Sequence, residues 1–206
     1  MEGNQTHEEQ LEMIADIRNL MDRSSRFISL SGLSGVVAGS SALIGVAITL
    51  WKLNTGRTEW LWDIDLAQQS FLILVALGVL VVALFGGMVL TIKEAKKQGQ
   101  PTWDKTSRSL VSSLLIPLVS GGLFCVILAS RGDAELILPS TLIFYGLSLV
   151  SASKYTLEDI RYLGYVELFL GFIAALMVGY GLIFWAVGFG LMHIVYGIYM
   201  HMKYNK

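Results

Sequence analysis

The sequence predicts an all-α polytopic membrane protein: a bundle of six transmembrane helices preceded by a cytoplasmic amphipathic helix. Three observations predict it. First, of 206 residues 54% are hydrophobic and only 15% charged, where a soluble domain carries about 25% charge. Second, the charges sit in short patches separated by apolar runs, and about 18 consecutive apolar residues are enough to cross a bilayer. Third, the basic residues alternate from one connection to the next, the pattern that orients helical membrane proteins.

Residues 1–26 read as the amphipathic helix. Thr6 and Glu9 make a T-x-x-E capping box. Leu11, Ile14, Ile17 and Met21 then recur at helical spacing, with Arg18, Arg23 and Arg26 toward the end. Such a helix lies along the membrane or under the bundle; the alternative is a helix that docks a protein partner. The first residues are polar and acidic, and the first apolar run is too long for a signal-peptide core, so that run is expected to insert and stay. The predicted spans are 28–51, 69–92, 110–129, 136–152, 162–178 and 182–202. The last two share one apolar stretch of 41 residues, Tyr162 to Met202, about twice what one span needs. It divides at Gly179-Tyr180-Gly181, where two glycines permit a turn.

Counting Lys and Arg sets the orientation. The N-terminal segment, the second and fourth connections and the tail hold 12 of the 15 (Arg18, Arg23, Arg26, Lys93, Lys96, Lys97, Lys105, Arg108, Lys154, Arg161, Lys203, Lys206). The other face holds 3: Lys52, Arg57 and Arg131. Both termini are therefore expected in the cytoplasm. Trp51, Trp60 and Trp62 flank the first external connection as interfacial anchors, with Asp63 and Asp65 ahead of the second span. In register from Arg26, Arg108 and Arg161, the pairs Gly39-Ser40, Gly121-Gly122 and Ala174-Ala175 place small residues alike, a faint threefold hairpin repeat that membrane-helix composition also explains.

Composition removes several functions. A net charge of −1 and pI near 6.3 give no basic field for nucleic acid. The single cysteine, Cys125, allows no intrachain disulfide. Walker, dinucleotide and HExxH motifs are missing, and no Ser-His-Asp arrangement emerges. No nucleic-acid partner and no cofactor are expected.

Two ionisable residues fall well inside spans, Glu167 and His193, and charge in a membrane is costly enough to need a reason. Each stands 13 positions from Tyr180, so an antiparallel hairpin puts them at one depth. Gly164, Glu167, Gly171 and Ala175 share one stripe of the fifth helix, and Ala186, Gly190, His193 and Gly197 one stripe of the sixth. Small residues let helices approach closely, so the expectation is a buried Glu167–His193 pair facing across the hairpin. Such a pair takes up and releases protons, or else clamps two helices.

Weaker signals remain. Ser113, Pro117, Ser120 and Tyr196 are candidate cavity-lining residues, because Pro-kinked Ser- and Gly-rich helices line cavities in transporters; Pro117 frees the carbonyl of Ser113. Ser31, Gly35 and Gly39 permit close crossing of the first span within the bundle, or across a homo-oligomer. Thr156 and Asp159 read as a cap ahead of the fifth span. Met192, His193, Met200 and His201 supply soft ligands of the kind copper(I) takes, but at no recognised ligand spacing, and haem would need a second deep histidine. No metal is expected.

The segment Arg23-Ser24-Ser25-Arg26-Phe27-Ile28-Ser29-Leu30-Ser31-Gly32-Leu33-Ser34-Gly35 resembles the start of an uncharacterised group of small bacterial multi-pass membrane proteins. The resemblance implies a bacterial cytoplasmic membrane and carries no activity or site residues. The functional expectation is transport of a small solute or ion, or pH sensing, centred on Glu167 and His193 in the lipid bilayer. The alternative is a non-catalytic subunit that docks a cytoplasmic partner through the N-terminal helix and the basic second connection; an intramembrane enzyme ranks third.

Overall fold

The computed structural model describes residues 13–14, 31–53, 66–97, 99, 103–177 and 179–204. Every regular element among them is helical. α1 is Gly32–Leu53, α2 Leu66–Lys97, α3 Lys105–Arg131, α4 Ile137–Ala152 (behind a 3-10 turn at Ala134–Leu136) and α5 Asp159–Leu176. α6 runs from Gly181 to Tyr204, and its stretch Ala186–Met192 is π-helical. The amphipathic helix expected over residues 1–26 lies outside the described residues, apart from Met13 and Ile14, which are helical and exposed. Arg57, Trp60, Trp62, Asp63 and Asp65 also lie outside them.

Five helices are long and apolar enough to cross a membrane: α1, α2, α3, α4 with its 3-10 turn, and α6. α5 has 18 residues and carries Asp159, Arg161 and Glu167, too many charges to qualify by composition. The outward faces agree with a lipid surround. None of the most apolar stretch of α2 is buried inside the molecule, and Leu74, Phe85 and Met88 all point outward. In water such a face would drive aggregation.

Helices overrun the predicted spans where polar flanks still favour helix. α2 continues through Lys93–Lys97, whose Lys, Glu and Ala residues are good helix formers. α3 begins at a capping box: the Asp104 carboxylate accepts from the Ser107 N–H at 2.7 Å, and the Asp104 N–H donates to Ser107 Oγ at 2.7 Å. Those Ser107 hydrogen bonds hold the Asp104 carboxyl below its ordinary range. α3 runs uninterrupted past Pro117 and ends at Gly132, whose φ of 84° only glycine adopts easily. α5 takes its N-cap two residues beyond the expected cap at Thr156. The N-cap of α5 is Glu158, without a side-chain cap bond, while Asp159 accepts instead from Lys203 Nζ (2.8 Å) and the Tyr204 hydroxyl (2.6 Å).

The helices lie side by side in the order α2–α1–α6–α5–α4–α3. Two glycine seams fix this order. On α1, a Cβ at Gly39 would come within 2.5 Å of the Gly190 carbonyl oxygen, and one at Gly35 within 3.0 Å of the His193 carbonyl oxygen. On α4, a Cβ at Gly146 would lie 2.7 Å from the Gly164 carbonyl oxygen. The Ser31–Gly35–Gly39 pattern thus works within the bundle. The small stripes of α5 and α6 do not face each other as the sequence reading supposed. Gly164 and Gly171 meet α4, and Gly190 and Gly197 meet α1, because a glycine groove is filled by whichever backbone reaches it most closely. The hairpin limbs α5 and α6 touch more sparingly, turning through Gly179 at φ 94°. A core of Leu149, Leu157, Ile160, Leu163 and Met200 fills the end where α4, α5 and the tail of α6 converge.

Candidate functional site: a buried carboxyl–imidazole–phenol chain

Glu167 stands near the middle of α5 with no exposed surface, and His193 opens the α-helical end of α6 at 5% exposure. Their closest atoms, Glu167 Oε1 and His193 Nδ1, are 3.4 Å apart. That is an ion-pair distance, not a directed hydrogen bond, because the Nδ1 hydrogen is aimed elsewhere: Nδ1 lies 2.9 Å from the Gly188 carbonyl oxygen. A carbonyl only accepts, so Nδ1 carries a hydrogen. On the other side Nε2 is 2.8 Å from the Tyr145 hydroxyl, and in the neutral ring Nε2 accepts from it. Both ring nitrogens are thereby occupied.

Glu167 is in the opposite condition. Neither of its carboxyl oxygens has a hydrogen-bond partner among the described residues. Gly188 lies directly against the carboxyl. A Cβ added at Gly188 would collide with Glu167 Oε2 and lie 2.7 Å from Leu142 Cδ2, so the carboxyl occupies the space that glycine leaves open. Gly188 has two roles here: its missing side chain admits Glu167, and its carbonyl orients His193.

The π-helical turn makes this possible. A π segment fits one extra residue into the helix and loosens the regular ladder, and such segments recur at functional sites. Here it spans Ala186–Met192, which includes Gly188 and ends at His193. The turn also stacks an aromatic ladder along α6. Trp185 and Phe189 have centroids 5.0 Å apart, Phe189 and His193 5.8 Å, and the Tyr145 ring sits 4.9 Å from Phe189.

Tyr145, Gly188 and the π turn were missed in the sequence reading. Tyr145 is 48 residues from His193, and the one hint is its neighbour Gly146, which brings α4 against α5.

The other candidates lie elsewhere. A cavity opens at the end of the bundle holding the start of α6, lined by residues such as Val46, Ile73, Leu138 and Trp185. Ser113, Pro117, Ser120 and Tyr196 are not among its lining residues. Ser120 is exposed on α3 and bonds back to the Ile116 carbonyl at 2.8 Å, the ordinary way a helix hides a hydroxyl from lipid. Tyr196 packs against the Leu149–Met200 core. Met200 is inside that core and Met192 packs against it, while His193 has both nitrogens engaged; among the described residues no cluster of three His, Cys, Asp or Glu side chains forms. Comparison with protein families, characterised proteins and solved structures finds no match to this chain.

Proposed function

We propose that this chain is a proton-responsive integral membrane protein that transports or senses a small solute or ion, with Glu167 and His193 as its proton site. The observation that carries the reading is the state of Glu167: no exposed surface, no hydrogen-bond partner among the described residues, and an imidazole at 3.4 Å. A polar group kept that way lowers stability by about 1–3 kcal/mol, so a role beyond holding helices together accounts for its retention.

With one proton between them the pair is neutral overall, as an ion pair or as two uncharged groups. Gaining a second proton or losing the first leaves net charge in a low-dielectric interior, which is expensive unless water enters. Proton exchange is thereby linked to opening. The π turn supplies a second arrangement: relaxing it to regular α-helix shifts register by one residue and rotates His193 by about 100° relative to the preceding turn, away from Glu167. In this proposal α5 counts as a sixth span, both termini lie in the cytoplasm of a bacterial cell, and the basic faces of the second and fourth connections set that orientation.

The close packing around Glu167 favours a second reading, a fixed polar clamp in a docking subunit. Hydrogen exchange of residues 186–192 in lipid nanodiscs separates the two. The proton site predicts protection, taken relative to the intrinsic amide rate at each pH, that changes with pH in the wild type and is constant in Glu167→Gln. Identical pH profiles in both would remove the proton-site reading and leave the clamp.

A further inference from the structure

The cavity at the other end of the aromatic ladder has a chemistry of its own. Its volume is about 390 Å³ and it is formed where α1, α2, the end of α3, the start of α4 and the start of α6 meet. That is within the range of small-molecule sites, which combine apolar walls with few polar groups. Val46, Ile73, Leu138 and Leu182 supply walls, and Trp185 presents an indole. Of the polar lining, the Thr49 hydroxyl is committed to the Gly45 carbonyl at 2.9 Å, and Gln69 already has a partner. Glu135 is the lining residue that bears charge, and no ion pair or hydrogen bond engages it among the described residues. The nearby Arg131 pairs instead with Asp133, at 3.4 Å.

We propose that this cavity binds a lipophilic organic cation, held by the Glu135 carboxylate and the Trp185 ring. Each alternative class leaves something unmatched. An anion would meet the carboxylate. A small inorganic cation would lose its hydration shell to apolar walls that cannot replace it. A neutral apolar molecule would make no use of Glu135. A large cation with diffuse charge satisfies the carboxylate, the walls and the indole together. The proposal stands on the cavity and does not rest on the proton site.

Equilibrium binding of tetraphenylphosphonium to the full chain in phosphatidylcholine nanodiscs tests it, with empty nanodiscs as the baseline for partition into lipid. Saturable one-to-one binding is expected, weakened about tenfold or more in Glu135→Gln, retained in Glu135→Asp, weakened in Trp185→Leu, and unchanged in Glu167→Gln. Glu135 is not buried, so Glu135→Gln leaves the fold intact. Absence of saturable binding to the wild type, or equal affinity in Glu135→Gln, would overturn the proposal.

Discussion

Replacing Glu167 with methionine should stabilise this protein, and replacing His193 with leucine should destabilise it. The asymmetry follows from what each side chain leaves behind. Glu167 makes no hydrogen bond among the described residues, so Met, close to it in volume and unbranched, removes a buried polar group without orphaning another. His193 keeps its bonds to Gly188 and Tyr145. Relief of an unsatisfied buried carboxyl is worth about 1–3 kcal/mol, and the methionine fits with little repacking. His193→Leu strands the Tyr145 hydroxyl and the Gly188 carbonyl, a loss of about 1–3 kcal/mol for each group left unsatisfied. Equilibrium unfolding in bicelles measures both. A Glu167→Met variant less stable than wild type by more than about 1 kcal/mol would show that the carboxyl holds helices together, and would refute the reasoning that it is retained at a cost.

Further outcomes follow from the same structure. Gly188→Ala places a methyl group against Glu167 Oε2 and Leu142, so it should lose about 1–3 kcal/mol by overpacking; in a Glu167→Ala background the part due to the carboxyl should vanish and the part due to Leu142 remain, which a double-mutant cycle reads directly. Gly39→Leu should open the α1–α6 seam and lower the unfolding midpoint, whereas the same change at Gly122, which faces open space, should be nearly silent. Asp104→Ala removes the capping box of α3 and should lower stability by about 1 kcal/mol. At the start of α5, burial pushes the Asp159 carboxyl up, but hydrogen bonds from Lys203 and Tyr204 outweigh it and hold the group below its ordinary value. A depressed carboxyl contributes above its unfolded value and is lost as pH falls through the folded one. Protection of the α6 tail in hydrogen exchange should therefore persist from neutral pH to about 4 and fall below it, and Asp159→Asn should remove that protection at every pH.

Much of the helical frame is legible in the sequence because apolar length is a coarse and strong signal. The ends are less so: Lys93–Lys97 lie past the apolar run but stay helical, since membrane thickness limits apolarity and not helix length. The register of Glu167 and His193 can be read from their equal distance from Tyr180. The faces cannot. Glycine stripes announce close approach without saying to what, and here those of α5 and α6 are taken by α4 and α1. Tyr145 comes from a helix that neither stripe names. The π turn has no local signature beyond Gly188-Phe189-Gly190, because it is stabilised by what packs on it: Leu43 against Gly190 and Glu167 against Gly188.

The central claim, that Glu167 exchanges a proton with its surroundings, is tested most directly by infrared difference spectroscopy of the protein in lipid across its range of stable pH. The account predicts a carboxyl C=O stretch from a buried acid that changes with pH, shifts in Tyr145→Phe and is lost in Glu167→Gln. A carboxyl band that stays constant across that range, or one that survives in Glu167→Gln, would contradict it.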